Sequence, residues 1–194
     1  MSDYQGQATP YTLGSPYNAI DFMMRQIIAG KAYAALVMVL SVTGGGISGP
    51  ATVSVQPMVN QQDSAGTQVP HGTVHNLPVH RPQGGAFAFI ADPVAGDIGL
   101  AVMCDRDIST VKTTGAPGPA GSFRTNSWSD GLYLGAFLGA APTGYVWVRE
   151  AGVDIVTAGT VTVKAGGDMT LISPTVINLN APVLKNNGTP IVVP

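Results

Sequence analysis

The sequence predicts a mainly β chain in which an N-terminal helix and a small closed barrel precede a short trimeric octad-repeat β-helix. Three observations carry that prediction. A single helical signal lies between Ser15 and Gly30, short apolar runs separated by turn clusters fill residues 31–143, and a period of eight runs through residues 153–181. The bulk composition agrees with it. Only 10% of the 194 residues are charged against 45% hydrophobic, and the chain holds 25 Gly and 15 Pro. So little charge barely covers the surface of a monomer, and burial between copies is the natural remedy.

Taken in order, residues 1–14 are polar and contain Gly and Pro, which predicts a flexible arm. Ser15 as N-cap, Pro16 at the first helical position and Gly30 as the stop then delimit a helix. Ile20, Met23, Met24, Ile27 and Ile28 fall on one face of it, and the simplest expectation is that this face packs on the chain's own domain. The following runs, Ala35–Thr43, Ala51–Val59, Thr73–His80, Ala86–Ile90, Ile98–Cys104 and Leu132–Phe137, predict short strands. Gly44-Gly45-Gly46, Asp63-Ser64-Ala65-Gly66 and Pro82-Gln83-Gly84-Gly85 supply turns between them. Five or six such strands over about 110 residues suit an OB-like barrel, so residues 15–143 read as one domain of helix plus barrel. Phe87, Phe89 and Tyr133 stand at strand positions expected to alternate into its core. The segment Thr113–Ser127 is too poor in apolar residues for a strand and reads as a long surface loop, a common place for contacts.

Residues 144–194 read as a β-helical spike. At a spacing of eight, Val153, Val161, Met169 and Ile177 form one apolar column, and Ile155, Val163, Leu171 and Leu179 a second. Thr157, Ala165, Ser173 and Ala181 form a third column of small residues, and Asp154, Thr162, Thr170 and Asn178 an interleaved polar one. Ala158-Gly159, Gly166-Gly167, Pro174 and Pro182 punctuate the units, and Tyr145, Trp147 and Arg149 fit the register before them. Eight residues trace only ~26 Å of backbone, too short to close around side chains when packed sheets stand ~10 Å apart. One octad is therefore one face of a prism, and a single chain completes little more than one turn. Three chains wound together solve this, with the two apolar columns meeting on a dry axis. The predicted trimer core is thus Val153, Ile155, Val161, Val163, Met169, Leu171, Ile177 and Leu179. Ile191, Val192, Val193 and Pro194 would close the apex.

The order of parts resembles the central, membrane-piercing spike proteins of contractile phage tail baseplates. Asn76-Leu77-Pro78-Val79, Gly84-Gly85, Pro93-Val94-Ala95-Gly96-Asp97-Ile98-Gly99-Leu100, Asp105-Arg106-Asp107-Ile108 and Ser129-Asp130 are similar to the barrel of that family. The resemblance implies a homotrimer with an OB-fold collar attached to a trimeric baseplate hub protein. It also implies a virion location at the tail tip after synthesis in the host cytoplasm, and transient contact with the host outer membrane, which the tip punctures mechanically on tail contraction. Some members hold an iron ion with a His-x-His motif near the C-terminus. Here the last histidine is His80, so that metal site does not carry over.

No enzyme, cofactor or metal chemistry is expected. His71, His75 and His80 lie among Pro70, Gly72, Pro78 and Pro82, in extended chain where they cannot share a helical face. Most of Asp92, Asp97, Asp105, Asp107 and Asp130 stand in turn contexts that suit capping of backbone N–H groups. Gly44-Gly45-Gly46 lacks the following Lys-Ser/Thr of a phosphate loop. Cys104, the single cysteine, sits in the apolar stretch Gly99–Cys104 and reads as an inert thiol. No signal peptide is discernible, and the longest apolar run, Ala32–Leu40, is shorter than the ~20 residues of a membrane helix. Two other readings exist. A trimeric receptor-binding tail fibre or tip protein would use the Thr113–Ser127 loop. An OB-fold nucleic-acid binder would need a basic groove, which nine basic against eleven acidic side chains and a net charge of −2 do not supply.

Overall fold

The computed structural model describes residues 14–62, 66–181, 183, 185–186 and 189–190. The predicted arm (apart from Gly14), Pro182 and the apex residues Ile191, Val192, Val193 and Pro194 lie outside the described residues. The chain divides between Ala140 and Ala141 into two units.

The first unit opens with helix α1, Pro16–Ala29, bounded as its sequence dictates: the Ser15 hydroxyl accepts the Asn18 N–H at 3.2 Å, and Gly30 ends it. Strands β1 (Ala34–Thr43), β2 (Thr52–Pro57), the short pair β3 (Gln61–Gln62) and β4 (Gln68–Val69), and β5 (Val74–Pro78) follow. A two-residue pair, β6 (Gln83–Gly84) and β7 (Phe87–Ala88), leads to β8 (Ile98–Met103). Helix α2 (Ser109–Thr114) precedes β9 (Gly131–Leu138).

Five of these strands form an antiparallel sheet in the order β5-β2-β1-β8-β9. Its two edges then meet: Val79, just past β5, bridges Tyr133 of β9 in parallel, and the His80 N–H donates to the Tyr133 carbonyl at 2.7 Å. The sheet thereby closes into a barrel and leaves few unpaired edges. Alternation of apolar residues fills it. In β2 and β8 every second residue is buried, and Val37, Val39, Val53, Val55, Leu77 and Tyr133 are almost wholly shielded from solvent. A fully buried side chain of this kind is worth about 1.5–3 kcal/mol.

Three expectations fail here. Ala86–Ile90 is not a barrel strand; only Phe87–Ala88 pairs, with Gln83–Gly84, in a separate two-stranded sheet. Phe87 and Phe89 consequently stand more than four-fifths exposed, whereas Tyr133 is buried as anticipated. The apolar face of α1 does not pack on its own domain either: Ile20, Met23, Met24, Ile27 and Ile28 are all exposed.

The second unit begins with the hairpin β10 (Tyr145–Arg149) and β11 (Gly152–Val156) and carries a short pair, β12 (Lys185–Asn186) with β13 (Thr189–Pro190). Tyr145, Trp147 and Arg149 therefore do not form a further octad in series. They fold back antiparallel on the first one, through a two-residue turn at Glu150-Ala151.

Candidate functional site

In the second unit, residues 157–181 form no strand within the chain, yet they are not shapeless. Bends fall at residues 158–159, 166–167 and 174–175, a constant spacing of eight, at Ala158-Gly159, Gly166-Gly167 and Pro174-Thr175. The small and cyclic residues that punctuate the sequence repeat are the ones at which the backbone turns. Val153, Ile155, Val161, Val163, Met169, Leu171, Ile177 and Leu179 are 47–69% exposed, so the described residues of the same chain leave them largely uncovered.

The β10–β11 hairpin shows how the faces sort. Val146 pairs with Ile155 and Val148 with Val153, placing four aliphatic residues on one face. On the other, Arg149 bonds Asp154 and lies 4.5 Å from the centre of the Trp147 ring, a cation–π contact. One face is wholly aliphatic, the other mixes Tyr145, Trp147 and Val156 with the Arg149–Asp154 pair, and the aliphatic face continues the two apolar columns.

In the barrel unit, Asp92 and Asp97 cap turns. Asp97 accepts the Val94 N–H at 2.8 Å, and Asp92 accepts that of Gly46. The Asp92 carboxylate fills the glycine turn so closely that a Cβ on Gly45 would lie 2.7 Å from it, and Gly45 adopts a φ of 109°. The turn binds its own carboxylate and leaves no phosphate cradle.

A cluster that no sequence spacing announces joins Asp107, Arg124 and Asp130. The Arg124 Nε and Nη2 each lie 3.1 Å from an Asp130 oxygen, and Nη2 lies 2.9 Å from Asp107. Both carboxylates are buried, while the guanidinium is half exposed. Ser122 donates to Asp107 at 2.6 Å and the Ser109 N–H at 2.9 Å. The partners lie 6 and 17 residues apart in chain, a contact that only tertiary folding creates. Its effect is to pin the Thr113–Ser127 loop, whose Asn126 carbonyl also accepts the Ala32 N–H at 2.8 Å. Residues 113–114 of that segment end α2.

The serine donors, with Arg124 adding, hold the Asp107 carboxyl well below the usual carboxylate range. Its folded value being depressed, the stability it contributes is present above the unfolded value near ~3.9 and is lost as pH falls below it. Thermal melts are expected to show a fall in barrel stability below about pH 4, with a shallower acid limb in Asp107→Asn. An unchanged acid limb in that variant would remove this residue from the account.

The histidines scatter. His71 rests against Trp128 with ring centres 5.2 Å apart, and His75 Nδ1 lies 3.1 Å from the Ser54 hydroxyl. Among the described residues, no three His, Cys, Asp or Glu side chains are placed to hold one metal ion. Burial, with Asp105 and Asp130 nearby, pushes the Cys104 thiol up, which disfavours the nucleophilic thiolate. A cleft of about 400 Å³ is lined by His80, Arg81, Asp92, Asp97 and Tyr133. Its polar groups are largely committed to the barrel: Arg81 donates to the Gly46 carbonyl at 3.0 Å and to Gln83.

Residues 48–135 match the family model described as Phage protein Gp138 N-terminal domain. The matched stretch takes in β2, β5, β8 and the first half of β9, less than half of the chain. No curated protein matches the chain. The family match indicates a phage tail- or baseplate-associated structural protein, and with it a component of the virion.

Proposed function

We propose that the chain is the trimeric spike at the tip of a contractile tail, attached through its barrel to a trimeric baseplate hub and driven through the host outer membrane by contraction. The observation that carries this reading is the stretch 157–181, which forms no strand of its own, bends every eight residues and leaves its apolar columns exposed. A backbone of this form has no ladder partners of its own, and unpaired groups in a dry assembly are costly. Two further copies supply both the partners and the cover.

The strand circuit of the barrel, in which β1 meets β2 and β8 while β5 and β9 close it, supports an OB-fold collar. The role is mechanical, with no catalysis, metal or cofactor. Four octads advance about one strand spacing each, so the prism is a stub of ~20 Å, a wedge and not a lance. Closure of its apex by Ile191, Val192, Val193 and Pro194 belongs to the same proposal. Nucleic-acid binding is disfavoured by the net charge of −2, even though Phe87 and Phe89 are exposed.

The test is mass in solution. Light scattering on the purified protein should give three times the 19.8 kDa chain mass. A monomer at micromolar concentration would end the prism reading. Deleting residues 188–194 should lower either the melting point of the trimer or infectivity, and no change in either would remove the apical plug.

A further inference from the structure

We infer that α1 is a second trimerisation element, packing against α1 of the other two copies. The inference rests on the trimeric reading above but on a different part of the chain. Tyr17, Ile20, Met24 and Ile27 follow one another at spacings of three, four and three, the alternation of a coiled-coil seam. Met23 and Ile28 flank that seam. All six side chains are 53–78% exposed, while Ala19, Phe22 and Gln26 on the other side are half buried. The helix thus turns its more apolar face away from its own barrel.

The occupant follows from area, charge and side-chain shape. The six residues form an exposed apolar strip on the order of several hundred Å², the size at which such patches mark an interaction site. The stripe carries no charge, so identical copies do not repel. The helix's ion pair, Arg25 with Asp21 at 2.8 Å, lies outside the seam. With one Arg and no Lys, the polar face lacks the basic character of a membrane-surface helix. Tyr17 and Met24 share one seam position and Ile20 and Ile27 the other, and β-branched Ile at the second position belongs to the pattern that favours three or more strands over two. Fourteen residues are too few for an isolated coiled coil, but chains already joined elsewhere meet at high effective concentration. The exit of the helix is also held: the Lys31 ammonium donates to the Thr125 carbonyl at 3.3 Å, and Ala32 to Asn126.

Single-cysteine chains test this in a Cys104→Ser background, with Ile20→Cys and Ile27→Cys in the seam and Arg25→Cys outside it. Each is treated with a short bis-maleimide and read on a denaturing gel, with light scattering in parallel. The expected result is a linked pair of chains from both seam positions, none from Arg25→Cys, and a three-chain mass before treatment. A three-chain mass with the seam thiols unlinked overturns the inference and leaves the trimer standing. That outcome holds equally if those thiols are shielded from a monofunctional maleimide, because another segment or protein then covers them. Equal linking at all three positions overturns the seam. A one-chain mass removes the trimeric reading and this inference together.

Discussion

Leu171→Asp is expected to abolish assembly, reducing the light-scattering mass from three chains to one. Leu171 is 63% exposed in the single chain and sits in the second apolar column, where the proposed prism brings three copies to its axis. Three carboxylates there would meet in a dry core without partners. Each desolvated charge costs several kcal/mol at least (about the scale of a whole domain's stability when tripled). Protonation would relieve part of the penalty but still leave unpaired polar groups. Asn178→Asp, in the interleaved polar column, changes charge by the same amount and should leave the mass at three chains. The barrel should melt cooperatively in both variants, since its core is complete within one chain. A trimeric Leu171→Asp protein would show that this column faces water.

The second large effect is expected in the barrel. Gly99 lies in β8 where its pairing with β9 is irregular, and a Cβ placed there would come 2.1 Å from the Gly135 carbonyl oxygen and 2.5 Å from the Tyr133 Oη. Neither neighbour yields readily, one being backbone and the other a fully buried ring. Gly99→Val should cost about 3 kcal/mol or more, lowering the melting temperature of a domain this size by roughly 10 °C or more. Adding Tyr133→Phe should recover only part of the loss, because the carbonyl contact remains. Gly84→Ala, where a Cβ would meet nothing within 4 Å, should be close to neutral. Equal melting temperatures for Gly99→Val and the unaltered protein would mean the strands are not packed this closely.

What could be read in the sequence was what short-range chemistry decides. Ser15, Pro16 and Gly30 bound α1 because capping is local, and the strands β1, β2, β5, β8 and β9 fall where apolar alternation runs between turns. The bends of the second unit coincide with Gly and Pro for the same reason. Whether an apolar residue ends up covered is not local. Phe87-Ala88-Phe89 alternates like a core strand, yet a two-residue pairing offers nothing to bury it. The stripe of α1 has the period of a packed helix without revealing whose surface it meets. Arg124 reads as a loop charge in a polar segment, and only the closed barrel brings it between Asp107 and Asp130.

The β10–β11 hairpin has a bearing on how three chains find a common phase. Extended segments with a two-residue side-chain period are prone to slip, and a slip of one residue turns every aliphatic group outward. Apart from the short β12–β13 pair, this hairpin is the ladder that the described second unit forms by itself. It can form within microseconds, before any encounter between chains. Its two-residue turn and the Arg149–Asp154 pair set which face of Val153 and Ile155 points inward. In the proposed trimer, three such hairpins would act as a starter block, each delivering its strand with the phase already chosen. The remaining octads would then close like a zip from that end toward the tip, at a rate set by chain encounter and not by chain length.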